Sequence, residues 1–169
     1  LCIDCDVGLR NLDISLGLTE SGALSFLDVL NGDYPLDRAA KHPEYANLYF
    51  LTAPMNRSAE QISEEAFVDM LRAARKSYDY ILLDAPPTLG GWVMNLLCAA
   101  DGLVLPVEAS PWGLFGLANL FDFVGRVRQI APDLQTLGIA VTKVNERKNY
   151  FKQTFETLSE LDNVYLFQS

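Results

Sequence analysis

The chain has 169 residues, half of them hydrophobic, and a formal net charge of −9 at pH 7. This length suits one domain with a sizeable core, and the apolar runs are of strand length, so we expect no membrane-spanning helix. The acidic balance argues against a nucleic-acid-binding protein. Six basic residues against two acidic ones fall within positions 126–152. This segment predicts a rim that faces phosphate or a dimer partner, or simply a solvated face.

The chain opens with an apolar strand that runs into two carboxylates, Asp4 and Asp6. Residues at i and i+2 of a strand face the same side, so the two side chains are predicted to converge on one metal ion or one water. Two like charges at such a short distance need a cation or hydrogen-bond donors beside them. Gly8 allows a sharp turn after the pair, and Arg10 is the predicted positive partner.

Strands and helices are predicted to alternate along the rest of the chain. Ser63 is the predicted N-cap of the best-defined helix, and its buried stripe is Phe67, Met70, Leu71 and Ala74. Strands are predicted over 48–53, 80–83, 103–107, 137–142 and 164–167, and helices over 24–30, 64–76, 92–100, 114–130 and 150–161. The alternation predicts one α/β domain over residues 1–169. Its sheet is doubly wound and mostly parallel, with helices on both faces.

A second carboxylate ends the strand over 80–83. This run is apolar without alternation, which predicts a strand buried on both faces of a parallel sheet. It stops at Asp84, and Pro86 and Pro87 then interrupt the ladder because proline lacks an N–H. Ligands of open α/β sheets bind at the carboxyl ends of strands. The pattern therefore predicts an aspartate that holds Mg²⁺ beside a nucleotide.

The other reactive side chains are assigned no chemistry. His42 precedes proline in a polar loop and is predicted to lie on the surface. Cys2 and Cys5 face opposite sides of a strand, and Cys98 is predicted to be a core residue of an apolar helix, so a redox or metal site is disfavoured. Three cysteines in a chain of this length suit a reducing compartment. With no leader visible before Leu1, we expect a cytoplasmic protein.

Three segments together resemble the ParA/MinD family of deviant-Walker P-loop ATPases. Asp4-x-Asp6-x-Gly8-Leu9-Arg10-Asn11-Leu12-Asp13 resembles switch I of the MinD branch. Asp84-Ala85-Pro86-Pro87-Thr88-Leu89-Gly90 resembles the ParA branch, and Val141-Thr142-Lys143-Val144-Asn145 resembles the segment whose asparagine reads adenine in both. The similarity is spread over nearly the whole chain in the family's order. Its first half leans to MinD and its second half to ParA.

The resemblance implies roles for five residues. Asp6 would orient the attacking water, and Asp4 and Asp84 would hold hydrated Mg²⁺. Asn145 would hydrogen-bond the adenine of ATP, with Lys143 flanking the base. Residues 8–13 would be switch I and residues 86–91 switch II, both ordered by the γ-phosphate.

The implied function is an ATP-driven dimerisation switch that positions or partitions chromosomes, plasmids or the division machinery. The implied partners are a second copy of the chain on ATP binding and an activating protein. DNA or membrane binding would involve only segments outside this chain.

The family's glycine-rich phosphate loop, which ends in Gly-Lys-Thr, does not occur in this sequence. We therefore expect the chain to start about 30 residues inside the family's domain and to stop before its terminal helix. The sheet would have a gap between the strand ending at Asp84 and the strand over 103–107. Such a chain alone is expected to be inactive. It would fold poorly, pair the two flanking strands directly, or close the gap with another chain.

Two other interpretations stay open. One is a non-catalytic, partner-binding relative that truly lacks the phosphate loop. Independently of this choice, the segment 110–120 with Trp112 and Phe115 is a candidate partner surface, although packing at a helix start explains it equally. The other is an electron-transfer or metal-insertion relative, such as the nitrogenase iron protein. That interpretation needs cysteines near a dimer axis, and Cys98 does not suit it.

Overall fold

The computed structural model describes residues 1–18, 22–55, 62–144, 154, 156–159 and 165–167. Contacts group the chain into two compact units, Leu1–Leu96 and Leu97–Ser169. A single domain without an internal boundary stays a prediction. Within these described ranges, no helix is both long enough and apolar enough to cross a membrane.

The first unit is built on a four-stranded sheet. Its strands are β1 (Cys2–Asp4), β2 (Ala40–Lys41), β3 (Tyr49–Leu51) and β4 (Leu82–Asp84). They lie in the order β2-β3-β1-β4; β1 is parallel to β3 and β4, and β2 pairs antiparallel with β3. The helical segments are α1 (Leu12–Ser15), α2 (Phe26–Leu30), a 3₁₀ turn (Leu36–Arg38), α3 (Glu64–Ala74) and α4 (Gly91–Ala99).

Helix α3 matches its prediction closely. The Ser63 hydroxyl accepts a hydrogen bond from the Ala66 backbone N–H, which satisfies a donor that the first turn leaves without a helical partner. All four residues of the predicted stripe are buried. They contribute to a core that includes Ile3, Phe26, Phe50 and Leu51, each with no exposed surface. The period of apolar residues along the helix was therefore sufficient to identify its buried face.

Strand β4 differs from its prediction because it lies at the edge of its sheet. Its neighbour is β1, and the described residues place no strand on its other side. Leu82 is 59% exposed, and Tyr80, just before the strand, is 81% exposed. The prediction of a strand buried on both faces is therefore wrong. An unbroken apolar run suits a central strand, but the neighbours that would bury it are set by sheet order.

The second unit is built on a three-stranded parallel sheet. Its strands, in spatial order, are β5 (Gly102–Glu108), β6 (Gln135–Thr142) and β7 (Leu166–Phe167), and its longest described helix is α5 (Pro111–Val127). The buried core comprises Leu105, Val107, Leu117, Ile139 and Leu158. Within the described residues, only β2 runs antiparallel to its neighbour. The predicted α/β class with mostly parallel pairing is confirmed.

Helix α5 begins three residues before its predicted start. Ser110 is the N-cap, and its hydroxyl accepts a hydrogen bond from the Gly113 N–H, while Pro111 occupies the first turn. Proline suits that position because its missing N–H has no helical partner there. Trp112 and Phe115 are 83% and 67% exposed, so packing at the helix start does not account for these side chains.

The strand order of the two sheets tests one expectation for the predicted gap between the strand ending at Asp84 and the strand over 103–107. Strand β4 is the last strand of one sheet and β5 the first of the other, and no ladder among the described residues joins them. Direct pairing of the two strands, one of three expected outcomes, is therefore not what the structure shows. The predicted helix over 150–161 lies mostly outside the described residues, although Thr154 and Leu158 are described and buried.

His42 is buried, with 7% of its surface exposed, so its predicted surface position is wrong. Its Nδ1 accepts hydrogen bonds from the backbone N–H groups of Glu44 and Tyr45. Its Nε2 lies 3.0 Å from the Leu16 carbonyl oxygen, which makes Nε2 the protonated nitrogen. The imidazole closes its own loop and ties it to the segment after α1, which the polar sequence around it did not reveal.

Cys98 is exposed, so its predicted core position is wrong as well. Leu96 and Leu97, just before it, are buried together with Val93 one turn earlier. These three residues occupy the buried face of α4, and the next position points away from it. The apolar composition of the helix did not show which of its faces is buried.

Candidate functional site

Two predicted site residues lie directly opposite each other in the first sheet. Asp4 and Asp84 are partners in the parallel register of β1 and β4, and each is the last residue of its strand. Register partners on adjacent strands present their side chains to the same face. Asp6 follows Asp4 by two residues. The sheet thus groups three carboxylates at the carboxyl ends of neighbouring strands.

Asp4 organises the backbone that follows β1. It is fully buried. Its Oδ1 accepts a hydrogen bond from the Asp6 N–H at 3.0 Å, and its Oδ2 accepts one from the Leu12 N–H at 3.1 Å. Leu12 is the first residue of α1, so this carboxylate satisfies one of the donors that the helix start leaves without a helical partner. Asp4 therefore fixes both ends of the loop that carries Asp6.

Asp6 lies inside that loop, with 8% of its surface exposed. Its Oδ1 accepts long hydrogen bonds, 3.4 Å each, from the N–H groups of Gly8 and Leu9, and its carbonyl accepts one from the Arg10 N–H. Long bonds of this kind restrain a carboxylate weakly. The side chain is therefore sheltered from bulk water without being locked.

Arg10 is not the partner of the two carboxylates, contrary to the prediction. Its Nε lies 3.5 Å from Asp13 Oδ2, and its backbone has a φ of 45°. This left-handed conformation is unusual for a residue with a Cβ. It turns the chain at Arg10 toward α1, and the guanidinium reaches the aspartate three residues further on.

The pKa of Asp4 is raised, mainly by burial. The backbone hydrogen bonds from Leu12 and Asp6 lower this pKa in part, and the negative charges of Asp6 and Asp13 raise it further. Burial likewise raises the pKa of Asp84, with Asp4 and Asp6 adding to the effect. Each carboxyl group thus favours its neutral form more than it would in water. A bound cation relieves the same repulsion.

The three carboxylates offer only oxygen donors, which is the ligand type that Mg²⁺ prefers. No three His, Cys, Asp or Glu side chains form a ready-made metal cluster in the described part of the chain. Asp4 already uses both oxygens on backbone N–H groups. The residues therefore fit a hydrated Mg²⁺ ion. Proteins typically occupy only one or two coordination positions of such an ion, and water occupies the others.

Lys143 follows β6 in the second unit. Its Nζ lies 3.3 Å from Glu108 Oε2, at the end of β5, and its φ is 52°. Both side chains are mostly exposed, so this ion pair is worth little in stability. Asn145, the predicted reader of adenine, lies outside the described residues. The structure therefore brings together Asp4, Asp6 and Asp84 but does not show the predicted adenine contact.

Trp92 was not predicted to take part in this site. Its indole Nε1–H donates a hydrogen bond to the Cys5 carbonyl at 2.9 Å, and Cys5 lies between Asp4 and Asp6. The indole ring packs against Phe26 and Phe67, with ring centroids 6.3 and 5.0 Å away. The signal available in the sequence was a donor-bearing aromatic residue directly after two glycines, at the start of α4.

Comparison with known proteins identifies relatives of this chain. A family model described as AAA domain matches residues 1–137. The chain is 38% identical over 89 residues to the chromosome partitioning protein ParA of Myxococcus xanthus, covering 52% of this chain and 31% of that protein. It is 31% identical over 128 residues to the septum site-determining protein MinD of Thermotoga maritima, covering 72% of this chain and 47% of that protein.

The fold is also found among solved structures. Cobyrinic acid a,c-diamide synthase from Mycobacterium smegmatis, with bound ADP and magnesium, superposes with a TM-score of 0.80 at 24% identity, over 99% of this chain and 71% of that one. This likeness shows the fold. The chain spans about half, or less, of the length of the curated relatives named ParA and MinD.

Proposed function

Because the chain belongs to the ParA/MinD family of P-loop ATPases, we propose that it forms the hydrolytic part of an ATP-driven dimerisation switch. The switch positions or partitions chromosomes, plasmids or the division machinery. The observation that carries this proposal is the register of Asp4 opposite Asp84, with Asp6 in the loop that Asp4 holds. Relatives named for chromosome partitioning and septum placement support it.

In the proposed mechanism, Asp6 orients the water that attacks the γ-phosphate. Its weakly restrained carboxylate can accept a hydrogen bond from that water while the loop shelters it. Asp4 and Asp84 hold hydrated Mg²⁺ through its water ligands. When bound, ATP would supply the phosphoryl group, and the positive charge of Mg²⁺ would reduce the repulsion among the carboxylates and the phosphates. Repulsion by neighbouring aspartates, which adds to burial in raising the pKa of Asp4 and of Asp84, supports a cation at this position.

The proposed adenine contacts are assigned to two residues of the second unit. Asn145 hydrogen-bonds adenine, and Lys143, whose ammonium group lies 3.3 Å from Glu108 Oε2, flanks the base. A residue other than glycine at positive φ is often retained at a functional position because the surrounding structure offsets its strain. The backbone conformation of Lys143 therefore supports a role for this turn in binding.

The proposed partners follow from the switch. Two ATP-bound copies form a homodimer, and an activating protein stimulates hydrolysis in the cytoplasm. The loops over 8–13 and 86–91 are ordered by the γ-phosphate and released after hydrolysis. DNA or membrane contact, where it occurs, is made by segments outside this chain.

The test of this proposal is Asp6→Ala in the full-length protein. We expect hydrolysis to fall below detection while ATP binding and ATP-dependent dimerisation persist, because Asp6 acts on the attacking water rather than on the nucleotide. Steady-state hydrolysis, nucleotide titration and sedimentation velocity measure the three properties. Asp33→Ala, which removes an exposed carboxylate after α2, is the matched control and should behave as wild type.

Two results would contradict these assignments. Loss of ATP binding in Asp6→Ala would contradict the role given to Asp6. A wild-type protein that neither binds nor hydrolyses ATP would contradict the switch and favour a partner-binding relative without catalysis. The exposure of Trp112 and Phe115 on α5 is the observation that favours this second function.

A further inference from the structure

Trp92 contacts the carboxylate site through the backbone of one residue, Cys5. The Cys5 carbonyl accepts the indole N–H of Trp92 at 2.9 Å and the backbone N–H of Val7 at 3.1 Å. The Cys5 N–H donates to the Asp84 carbonyl at 2.9 Å. Cys5 is fully buried and is the one residue between Asp4 and Asp6. Its backbone is therefore held on one side by the end of β4 and on the other by the start of α4.

The two holding residues are the ends of one loop. Asp84 is the last residue of β4, Trp92 is the second residue of α4, and the segment 85–91 joins them. The two residues that flank this segment both bond to Cys5. A displacement of the segment therefore acts directly on the peptide that sets the spacing of Asp4 and Asp6.

The indole ring itself is well anchored. It stacks on Phe26 with an interplanar angle of 15° and meets Phe67 edge-on at 68°. Both phenylalanines are buried, one in α2 and one in α3. A tryptophan can donate only through its one N–H, and three elements fix the direction of that bond. The position of the indole ring is therefore fixed by packing.

From these contacts we infer that Trp92 is a positioning residue that couples the segment 85–91 to the Asp4–Asp6 pair through the Cys5 carbonyl. The catalytic consequence rests on the proposed function. Trp92→Phe keeps an aromatic ring in contact with Phe26 and Phe67 but removes the N–H. The Cys5 carbonyl retains only its bond from Val7, and the peptide gains freedom to turn.

The first measurement is independent of ATP hydrolysis. In the full-length protein, Trp92→Phe should raise amide hydrogen exchange several-fold over residues 4–12 and leave exchange over α3 (64–74) unchanged. A purely packing role would raise exchange in α3 as well, because the ring contacts Phe67. Trp112→Phe is the matched control, since Trp112 is 83% exposed. Unchanged exchange over 4–12, or an equal rise in α3, would overturn the inference.

The second measurement is catalytic. Trp92→Phe should lower kcat roughly tenfold with an unchanged nucleotide dissociation constant, as is typical when the support of a reacting group is loosened. An unchanged kcat in a hydrolysing protein would overturn the inference. A wild-type protein without hydrolysis would overturn the proposed function instead, and the exchange result would still decide the role of Trp92.

A third measurement needs no substitution at Trp92. Within the 169 residues of this chain there are two tryptophans, and Trp112→Phe leaves Trp92 as the one indole among them. Its Nε1–H proton should exchange slowly with solvent, as expected for a donor bonded to a buried carbonyl. Exchange as fast as that of an exposed indole would overturn the inference even if Trp92→Phe fails to fold.

Discussion

Asp84 combines an exposed position at a strand end with a pKa raised above 3.8 by partial burial and by the charges of Asp4 and Asp6. A carboxyl group whose pKa is raised on folding stabilises the folded state when protonated, and this contribution is lost as the pH rises through the folded pKa. At neutral pH and without a divalent cation, the ionised Asp84 therefore opposes folding. A divalent cation beside Asp84 would remove this unfavourable contribution.

Asp84→Asn should accordingly stabilise the protein at neutral pH in EDTA, by up to about 1 kcal/mol because the charge is partly screened by solvent. The advantage should shrink as the pH falls from about 7 to about 4, since wild-type Asp84 then becomes neutral as well. Urea unfolding across this range measures the difference, with Asp33→Asn as the control. An advantage that grows with acidification would mean that Asp84 is stabilised as a carboxylate.

At the scale of elements, the approach of α5 to β5 depends on Gly113. A Cβ at this position would overlap the backbone carbonyl oxygen of Glu108 and lie 3.3 Å from a Val107 methyl group. Gly116, one turn further along the same helix, has open space where a Cβ would be. The two glycines therefore differ in packing while sharing the helical environment.

Gly113→Ala should destabilise the protein by about 1–3 kcal/mol, because the backbone of α5 must move away from β5. Gly116→Ala should be neutral or stabilising by about 0.5–1 kcal/mol, since alanine favours a helix over glycine. Chemical denaturation of the two variants against wild type measures both effects. Equal effects of the two substitutions would show that the close contact at Gly113 does not set the position of the helix.

At the scale of the whole molecule, each of the two sheets has an edge strand with exposed apolar side chains. Leu82 of β4 and Val104 of β5 are 59% and 45% exposed. An exposed apolar strand edge is a template for pairing with another chain. The 169-residue chain by itself should therefore associate or unfold at low denaturant concentration rather than behave as a stable monomer.

Leu82→Lys should reduce this association, because a charge at a strand edge opposes edge-to-edge pairing. Ile130→Lys is the matched control: it adds the same charge at a side chain that is 68% exposed and outside the strands. Sedimentation velocity of the 169-residue chain compares the two variants. A wild-type chain that is monomeric and unfolds in a single transition at a high midpoint would contradict the expectation.

Features that depend on local chemistry could be predicted from the amino-acid sequence. Apolar periodicity and the Ser63 cap gave α3 and its buried stripe, and runs of apolar residues gave the positions of most strands. Carboxylates directly after two strands indicated where Asp4, Asp6 and Asp84 belong. Motifs in a fixed order were enough to identify the ParA/MinD family, which the comparisons confirm.

Features that depend on contacts between distant segments could not be predicted in this way. Sheet order left β4 at an edge, and packing buried His42 and exposed Cys98. The bond from Trp92 to Cys5 joins residues 87 positions apart. Contacts of this kind depend on which distant segments pack together, and a local sequence pattern does not predict that packing. The sequence therefore placed the carboxylates, and the tertiary structure determined what holds them.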